Sequence, residues 1–185
     1  MQLEAYESQK ENRIVIKLVE QVLKQYERNI SALDGGSNAD AHVNQLLLQL
    51  KALLGDILVD ALCMLDEQSI YSYHFESCAI AEIQIKQQSY KSSVWLYPHI
   101  NYCVCKQFNE RVLGLPSEVQ PISSTLQSVE LARSYTCAHV LALRLAQLLR
   151  PQPKTYKIET VSEEQFSHLK ERMDSSYLGI FNENQ

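Results

Sequence analysis

The chain has 185 residues, of which 45% are hydrophobic and 21% are charged, a composition typical of a globular protein with a substantial core. No apolar run approaches the roughly 18 to 20 residues of a membrane span, and the polar, acidic amino terminus predicts neither a signal peptide nor a transit peptide. The net charge of −5 disfavours an autonomous DNA-binding protein with a large basic face.

The first third of the chain predicts two helices. Between residues 9 and 33, apolar side chains recur at spacings of three and four, as on one face of an amphipathic helix. They are Ile14, Leu18, Val22, Tyr26, Ile30 and Leu33. Turn-forming residues at 34–40 end this helix. A second helix, predicted over 42–66, is apolar on more than one face, so either the core or a partner protein covers it.

From residue 69 onward the hydrophobic period changes from helical to alternating. Three strands are predicted, at 69–75, 79–87 and 93–105, and all are rich in Ile, Val and Tyr. Short connections favour antiparallel pairing of consecutive strands. Pro98 interrupts the third strand and indicates an edge position or a bulge.

The remainder of the chain is predicted to form a long loop, a helix, a short strand and a final helix. Residues 109–134 show no sustained period and read as a long surface loop, with a short helical turn near 126–132. A helix follows at 137–149, then a short strand at 154–161 and a last helix at 162–173. Ser162 and Gln165 have the spacing of a capping box at the start of that last helix.

Three of the five cysteines and one of the five histidines lie in two short segments, YCVC and YTCAH. Cys103 and Cys105 would project from one side of the third strand, because alternate residues of a strand share a face. Cys137 and His139 lie at the start of the following helix, with Thr136 as its predicted N-cap. Three sulfur atoms and one imidazole nitrogen suit a tetrahedral structural zinc site. These four residues therefore predict one structural zinc ion.

Simpler interpretations of the same residues remain open. Cys103 and Cys105 would then fill a half-buried strand, and His139 would be an ordinary surface residue. His99, on the same strand face, is a neighbour of the metal, a rival ligand or, more simply, a partly buried surface residue. Cys63 is predicted to be a core residue of the second helix, whereas Cys78 lies at a turn. An odd number of cysteines argues against a disulfide framework.

The order C-x-C, 31 intervening residues and C-x-H resembles the SWIM-type zinc finger. The motif of that family extends to an alanine three residues after the histidine, and Ala142 occupies this position. The sequence LDEQSI and the helix before it are similar to one group within the family, the SWIM subunits of Shu complexes. The spacer is longer than is usual for the family, which indicates an insertion at 109–133 in a surface loop.

The resemblance covers about residues 42–150 and implies a division of the chain. An N-terminal helix and linker occupy 1–41, the SWIM-containing core domain occupies 42–150 with its zinc finger at 103–139, and a strand–helix extension occupies 151–185. The predicted fold class is α+β. It combines N-terminal helices, a small antiparallel three-stranded sheet and a C-terminal helix linked to the sheet by zinc.

The resemblance also implies a function. SWIM subunits of this group are non-catalytic, nuclear adaptors that pair with a recombinase-paralogue protein. They promote recombinase filament assembly on single-stranded DNA in homologous recombination, including meiosis. The residues themselves also predict that the chain is not an enzyme. It has no G-x-S-x-G, H-E-x-x-H or phosphate-binding glycine loop, and four protein ligands would leave zinc no open position.

A direct single-stranded nucleic-acid-binding zinc module is the alternative function. Residues 103–150 carry a small basic excess of +2. Tyr102 or Tyr135 would stack on bases in this interpretation. The residues predicted to contact phosphate are Lys106, Arg111, Arg133 and Arg144. The overall acidity of the chain favours the adaptor.

Overall fold

A computed structural model of the chain describes residues 2–31, 39–86, 91–114, 134–149 and 155–182. These residues form six helices and a four-stranded mixed sheet, a mixed α/β fold. The helices are α1 (Gln2–Ser31), α2 (Ala39–Leu54), α3 (Asp56–Glu67), α4 (Lys106–Arg111), α5 (Ala138–Leu149) and α6 (Glu163–Asn182). The strands are β1 (Ser69–Phe75), β2 (Cys78–Lys86), β3 (Lys91–Leu96) and β4 (Tyr156–Thr160). None of these helices is long and apolar enough to cross a membrane.

The N-terminal helices differ from the prediction in two details. The buried face of α1 passes through Val19, Leu23 and Tyr26, whereas Leu18 of the predicted stripe is exposed. The helix predicted over 42–66 is two helices, because Gly55 adopts a φ of 58° between α2 and α3. That conformation is unfavourable for residues with a Cβ atom, so a glycine here sets the break.

The sheet contains one strand more than predicted. Its order is β3-β2-β1-β4, and the predicted antiparallel pairing holds for β1 with β2 and for β2 with β3. The short strand predicted near residue 154 also joins this sheet, as β4, and it pairs in parallel with β1. The prediction of a three-stranded antiparallel sheet is therefore only partly right. A parallel pair joins segments far apart in sequence, and short-range patterns do not reveal it.

The two faces of the sheet pack against different helices. On one face, Ile70, Ile83 and Leu96 share a core with buried residues of α3 and α5. On the other face, a smaller core forms around Trp95 and Met173 and includes side chains of α6. Cys103 and Cys137 belong to the larger core. The cysteine segments are thus anchored on the α3 and α5 side of the sheet.

The C-terminal capping box is confirmed. The Ser162 backbone N–H donates to Gln165 Oε1 at 3.0 Å, and the Gln165 N–H donates to Ser162 Oγ at 3.3 Å. Helix α6 continues to Asn182, beyond the predicted end at residue 173. The loop predicted from residue 109 is wrong at its start, because α4 ends at Arg111. The predicted turn near 126–132 lies outside the described residues.

Candidate metal centre

The two cysteine segments meet in space. The four atoms that could ligate a metal, three cysteine Sγ atoms and one histidine ring nitrogen, all lie within 4.8 Å of one another. Their residues are Cys103, Cys105, Cys137 and His139, here called the CCCH cluster. Cys103 and Cys137 are buried, while Cys105 and His139 are half-buried. This cluster could hold one metal ion.

Cys103 and Cys105 do not lie on a strand, contrary to the prediction. Strand β3 ends at Leu96, and the chain continues without regular structure to Cys105, which is the N-cap of α4. Proline at position 98, which lacks a backbone N–H, is consistent with the end of the strand before it. The two sulfur atoms converge because of this turn into α4.

Backbone N–H groups point at two of the sulfur atoms. Cys105 Sγ accepts a hydrogen bond from the Phe108 N–H at 3.4 Å, and Cys103 Sγ accepts one from the Cys105 N–H at 3.5 Å. Hydrogen bonds of this kind favour the charged form of a thiol. In metal sites such bonds orient the ligands and tune the charge on sulfur.

The second half of the cluster lies at the start of α5. The Leu141 N–H donates to the Cys137 carbonyl at 3.1 Å, so Cys137 occupies the N-cap position. The prediction that Thr136 is the N-cap is therefore wrong. The Thr136 hydroxyl instead donates to Asn101 Oδ1 at 2.8 Å. His139 follows in the first turn of α5.

Hydrogen bonds also join the two halves of the cluster. Asn101 accepts from Thr136 and donates through Nδ2 to the Tyr135 carbonyl at 2.9 Å. Gln107 Oε1 accepts from the Ala138 N–H at 3.0 Å. The sequence reasoning missed Asn101 and Gln107, whose only signal was a polar side chain two residues from a cysteine. These hydrogen bonds place the segment of Cys103 and Cys105 beside the start of α5.

Crowding of the thiols sets their protonation. Hydrogen bonds from Cys103 and then from Cys137 lower the pKa of Cys105. The same contacts, first with Cys105 and then with Cys137, raise the pKa of Cys103, and burial adds to the effect. Negative charges this close repel one another, so ionisation of all three thiols together is unfavourable unless a cation lies among them.

The other predicted candidates lie outside the CCCH cluster. His99 is exposed and lines a cleft of about 430 Å³ together with Glu20 and Arg144. Cys63 is exposed on α3, so the prediction that it is a core residue is wrong. Cys78 is exposed at the start of β2.

Two residues predicted to contact nucleic acid instead form hydrogen bonds within the protein. Arg144 binds Glu20 of α1 through two contacts, at 2.7 Å and 3.1 Å, and the Tyr135 hydroxyl donates to the same carboxylate. Tyr135 is also buried. Glu20, Tyr135 and Arg144 are called the Glu20 cluster below. No signal in the sequence connected Glu20 to a residue more than a hundred positions away.

The remaining residues of that alternative are more accessible. Lys106 is exposed and lies 3.6 Å from Glu110, and Arg111 is exposed at the end of α4. Tyr102 is partly exposed, with its ring edge-on to Phe108. Arg133 lies outside the described residues. Among the described residues of that alternative, two cations and one tyrosine thus remain exposed.

Comparisons of the chain with protein-family models, with curated proteins and with solved structures found no significant match.

Proposed function

We propose that the CCCH cluster is a structural zinc site of the SWIM type. Bonds of about 2.3 Å to sulfur and about 2.0 to 2.1 Å to nitrogen place the ligand atoms of tetrahedral zinc about 3.5 to 3.8 Å apart. Cys103 Sγ lies 4.0 Å from His139 Nδ1, and no pair of ligand atoms is separated by more than 4.8 Å. Movements of about 1 Å or less would complete the site. A donor set with three sulfur atoms also favours zinc over calcium or magnesium.

Zinc in this position would act as a cross-link. Four protein ligands leave no place for a reacting water, so the metal contributes folding free energy and no catalysis. It would compensate the charge of the crowded thiolates and join the segment after β3 to the start of α5. The zinc site would also be connected to α1. Tyr135 precedes Cys137 by two residues, and its hydroxyl donates to Glu20 of α1.

The burial of Ala142 supports assignment to the SWIM family. Ala142 lies three residues after His139, as the motif requires, and it is fully buried in the larger core. A larger side chain there would displace α5 from its neighbours. A small residue at this position is therefore a packing requirement of the zinc-bearing helix.

We further propose that the chain is related to zinc finger SWIM domain-containing protein 7 and acts as the SWIM subunit of a Shu-type complex. It would be a nuclear, non-catalytic adaptor that binds a recombinase-paralogue protein and promotes recombinase filament assembly on single-stranded DNA. The C-x-C and C-x-H pairs with Ala142 carry this proposal. Exposed apolar residues on the N-terminal helices, such as Leu18 and Leu48, offer apolar surface for a partner.

Zinc content tests the site directly. We expect one zinc per chain in the wild type and loss of zinc in Cys137→Ser, measured by elemental analysis. Cys63→Ser is the matched control, because Cys63 is an exposed cysteine outside the cluster. A wild-type chain purified with zinc available but without bound zinc would contradict both the site and the family assignment.

Binding assays on the same samples separate the adaptor from the nucleic-acid module. The adaptor predicts weak binding of single-stranded DNA by the chain alone. It also predicts a one-to-one complex with a recombinase paralogue of the same organism, and faster recombinase filament assembly in the presence of that complex. Tight, salt-dependent DNA binding by the isolated chain would favour the module. Lys106→Glu should weaken that binding if the module is correct.

A further inference from the structure

Strand β4 lies at one edge of the sheet. It is the last strand in the sheet order, and no strand within the described residues pairs with its outer side. Its residues from Lys157 to Thr160 are exposed, and Ile158 keeps 63% of its surface accessible. An open edge with an exposed apolar residue is a template for pairing with another strand.

The backbone directions along β4 follow from its hydrogen bonds to β1. The Ile70 N–H donates to the Thr155 carbonyl at 2.7 Å, and the Val161 N–H donates to the His74 carbonyl at 3.0 Å. Because backbone groups alternate along a strand, Lys157 and Glu159 also point toward β1. The N–H and C=O groups of the intervening residues therefore point outward. These residues are Tyr156, Ile158 and Thr160.

We propose that β4 pairs with β4 of a second copy of this chain, antiparallel, about a twofold axis at Ile158. The two sheets would form one continuous sheet of eight strands. Ile158 would lie opposite the partner subunit's Ile158, in a pair that exchanges two backbone hydrogen bonds. With Tyr156 and Thr160, the edges would share about six such bonds.

The charges of β4 select this axis. With the axis at Ile158, Lys157 lies opposite the partner subunit's Glu159, and Glu159 lies opposite the partner subunit's Lys157. Such directly opposed pairs stabilise a sheet when the charges are opposite and destabilise it when they are alike. An axis at Tyr156 or Thr160 would lose both pairs. The outward backbone groups allow several registers, and the order Tyr-Lys-Ile-Glu-Thr is complementary to itself in the one with its axis at Ile158.

Sedimentation of the full, zinc-loaded chain tests this dimer. The paired strands are short, so the interface is small and the measurement should span protein concentrations of about 1 to 300 µM. We expect a concentration-dependent dimer in the wild type. Lys157→Glu and Glu159→Lys should each raise the dimer Kd by about tenfold or more, because each places two like-charge pairs across the axis.

Charge exchange gives the decisive control. An equimolar mixture of the Lys157→Glu and Glu159→Lys variants should recover the dimer, since every cross-strand pair then joins opposite charges. The double variant with both substitutions should recover it too. Lys170→Glu alters the net charge equally at an exposed position of α6 and should leave the Kd unchanged.

Several results would overturn the proposal. They are a wild type that stays monomeric throughout, a dimer that the single substitutions do not weaken, and a mixture that fails to recover. If the chain is monomeric and the same substitutions instead weaken binding of another protein, the edge accepts a strand of that partner. Circular dichroism of each variant separates loss of the dimer from loss of the fold.

Discussion

Two buried polar clusters join distant parts of this protein, and they are stabilised in different ways. The CCCH cluster links the segment after β3 to α5 through sulfur atoms and one imidazole. On the opposite side of the sheet, the carboxylate of Glu82 is 1% exposed beneath α6. It accepts hydrogen bonds from Ser93 Oγ at 2.6 Å and from the Tyr73 hydroxyl at 3.2 Å. Arg172 of α6 approaches it to 3.7 Å.

The two clusters differ in the groups that compensate their negative charge. Glu82 finds its donors and its cation within the protein, so its free energy does not depend on a ligand. Tyr73 responds to this environment, since burial and then the Glu82 charge raise its pKa. The CCCH cluster has backbone donors at two of its sulfur atoms. If it binds zinc as proposed, its stability should depend on metal concentration and on pH.

The largest expected effect comes from removing the metal. Chelation of the zinc-loaded chain, or Cys137→Ser, should lower the Tm by about 10 °C or more, the shift that a loss of about 4 kcal/mol produces in a domain of this size. Differential scanning calorimetry with and without chelator measures it. Cys63→Ser should behave as the wild type. If chelation leaves Tm unchanged, the cluster does not depend on metal.

Glu82→Ala should have the next largest effect. It leaves the Tyr73 and Ser93 hydroxyls without this acceptor and removes the carboxylate beside Arg172, at a cost of about 2 to 4 kcal/mol. Urea unfolding measures the free energy of unfolding. The loss should be the same with and without chelator, in contrast to the CCCH cluster. Glu171→Ala, at an exposed position of α6, should cost less than about 0.5 kcal/mol.

The Glu20 cluster should show an intermediate, pH-dependent effect. The hydrogen bond between Glu20 and Arg144 lowers the pKa of Glu20 below the ordinary value of 4.5, although burial acts in the opposite direction. When the pKa of a carboxyl group is lower in the folded than in the unfolded protein, its ionised form stabilises the fold at pH values above the unfolded-state pKa. This stabilisation is lost as the pH falls through the folded-state pKa.

Glu20→Gln should therefore reduce the free energy of unfolding by about 1 kcal/mol at neutral pH, with a smaller difference from the wild type below pH about 4. Chemical denaturation between neutral and acidic pH measures this. Glu67→Gln, exposed at the end of α3, is the control. A difference from wild type that grows on acidification would contradict the assigned contact.

The smallest expected effect is at the capping box of α6. Ser162→Ala removes the acceptor for the Gln165 N–H at an exposed helix start and should cost about 0.5 kcal/mol. The free energy of unfolding measured in urea checks this value. Ser167→Ala, at an exposed interior position of the same helix, should be neutral or slightly stabilising. An equal loss in both variants would contradict a specific role of the cap.

The features that sequence predicted correctly are those with a local cause. Strands β1 and β2, helix α5 and the capping box all follow from side-chain period or from a fixed short spacing. The grouping of C-x-C with C-x-H also came from the sequence, because paired spacings indicate a shared site. Except for the pairing of the two cysteine segments, these signals involve residues within one or two helical turns of one another, so the chain carries them without its fold.

Tertiary structure alone decided the long-range contacts. Sequence patterns did not reveal that β4 lies in parallel beside β1, or that Glu20 meets Arg144 across the core. They also placed Cys103 and Cys105 on a strand, whereas the turn into α4 brings their sulfur atoms together. Such contacts depend on how the whole core packs, because the local sequence around each residue is compatible with many different contacting residues. The residues thus determined the candidate ligand set, and packing determined how the four side chains meet.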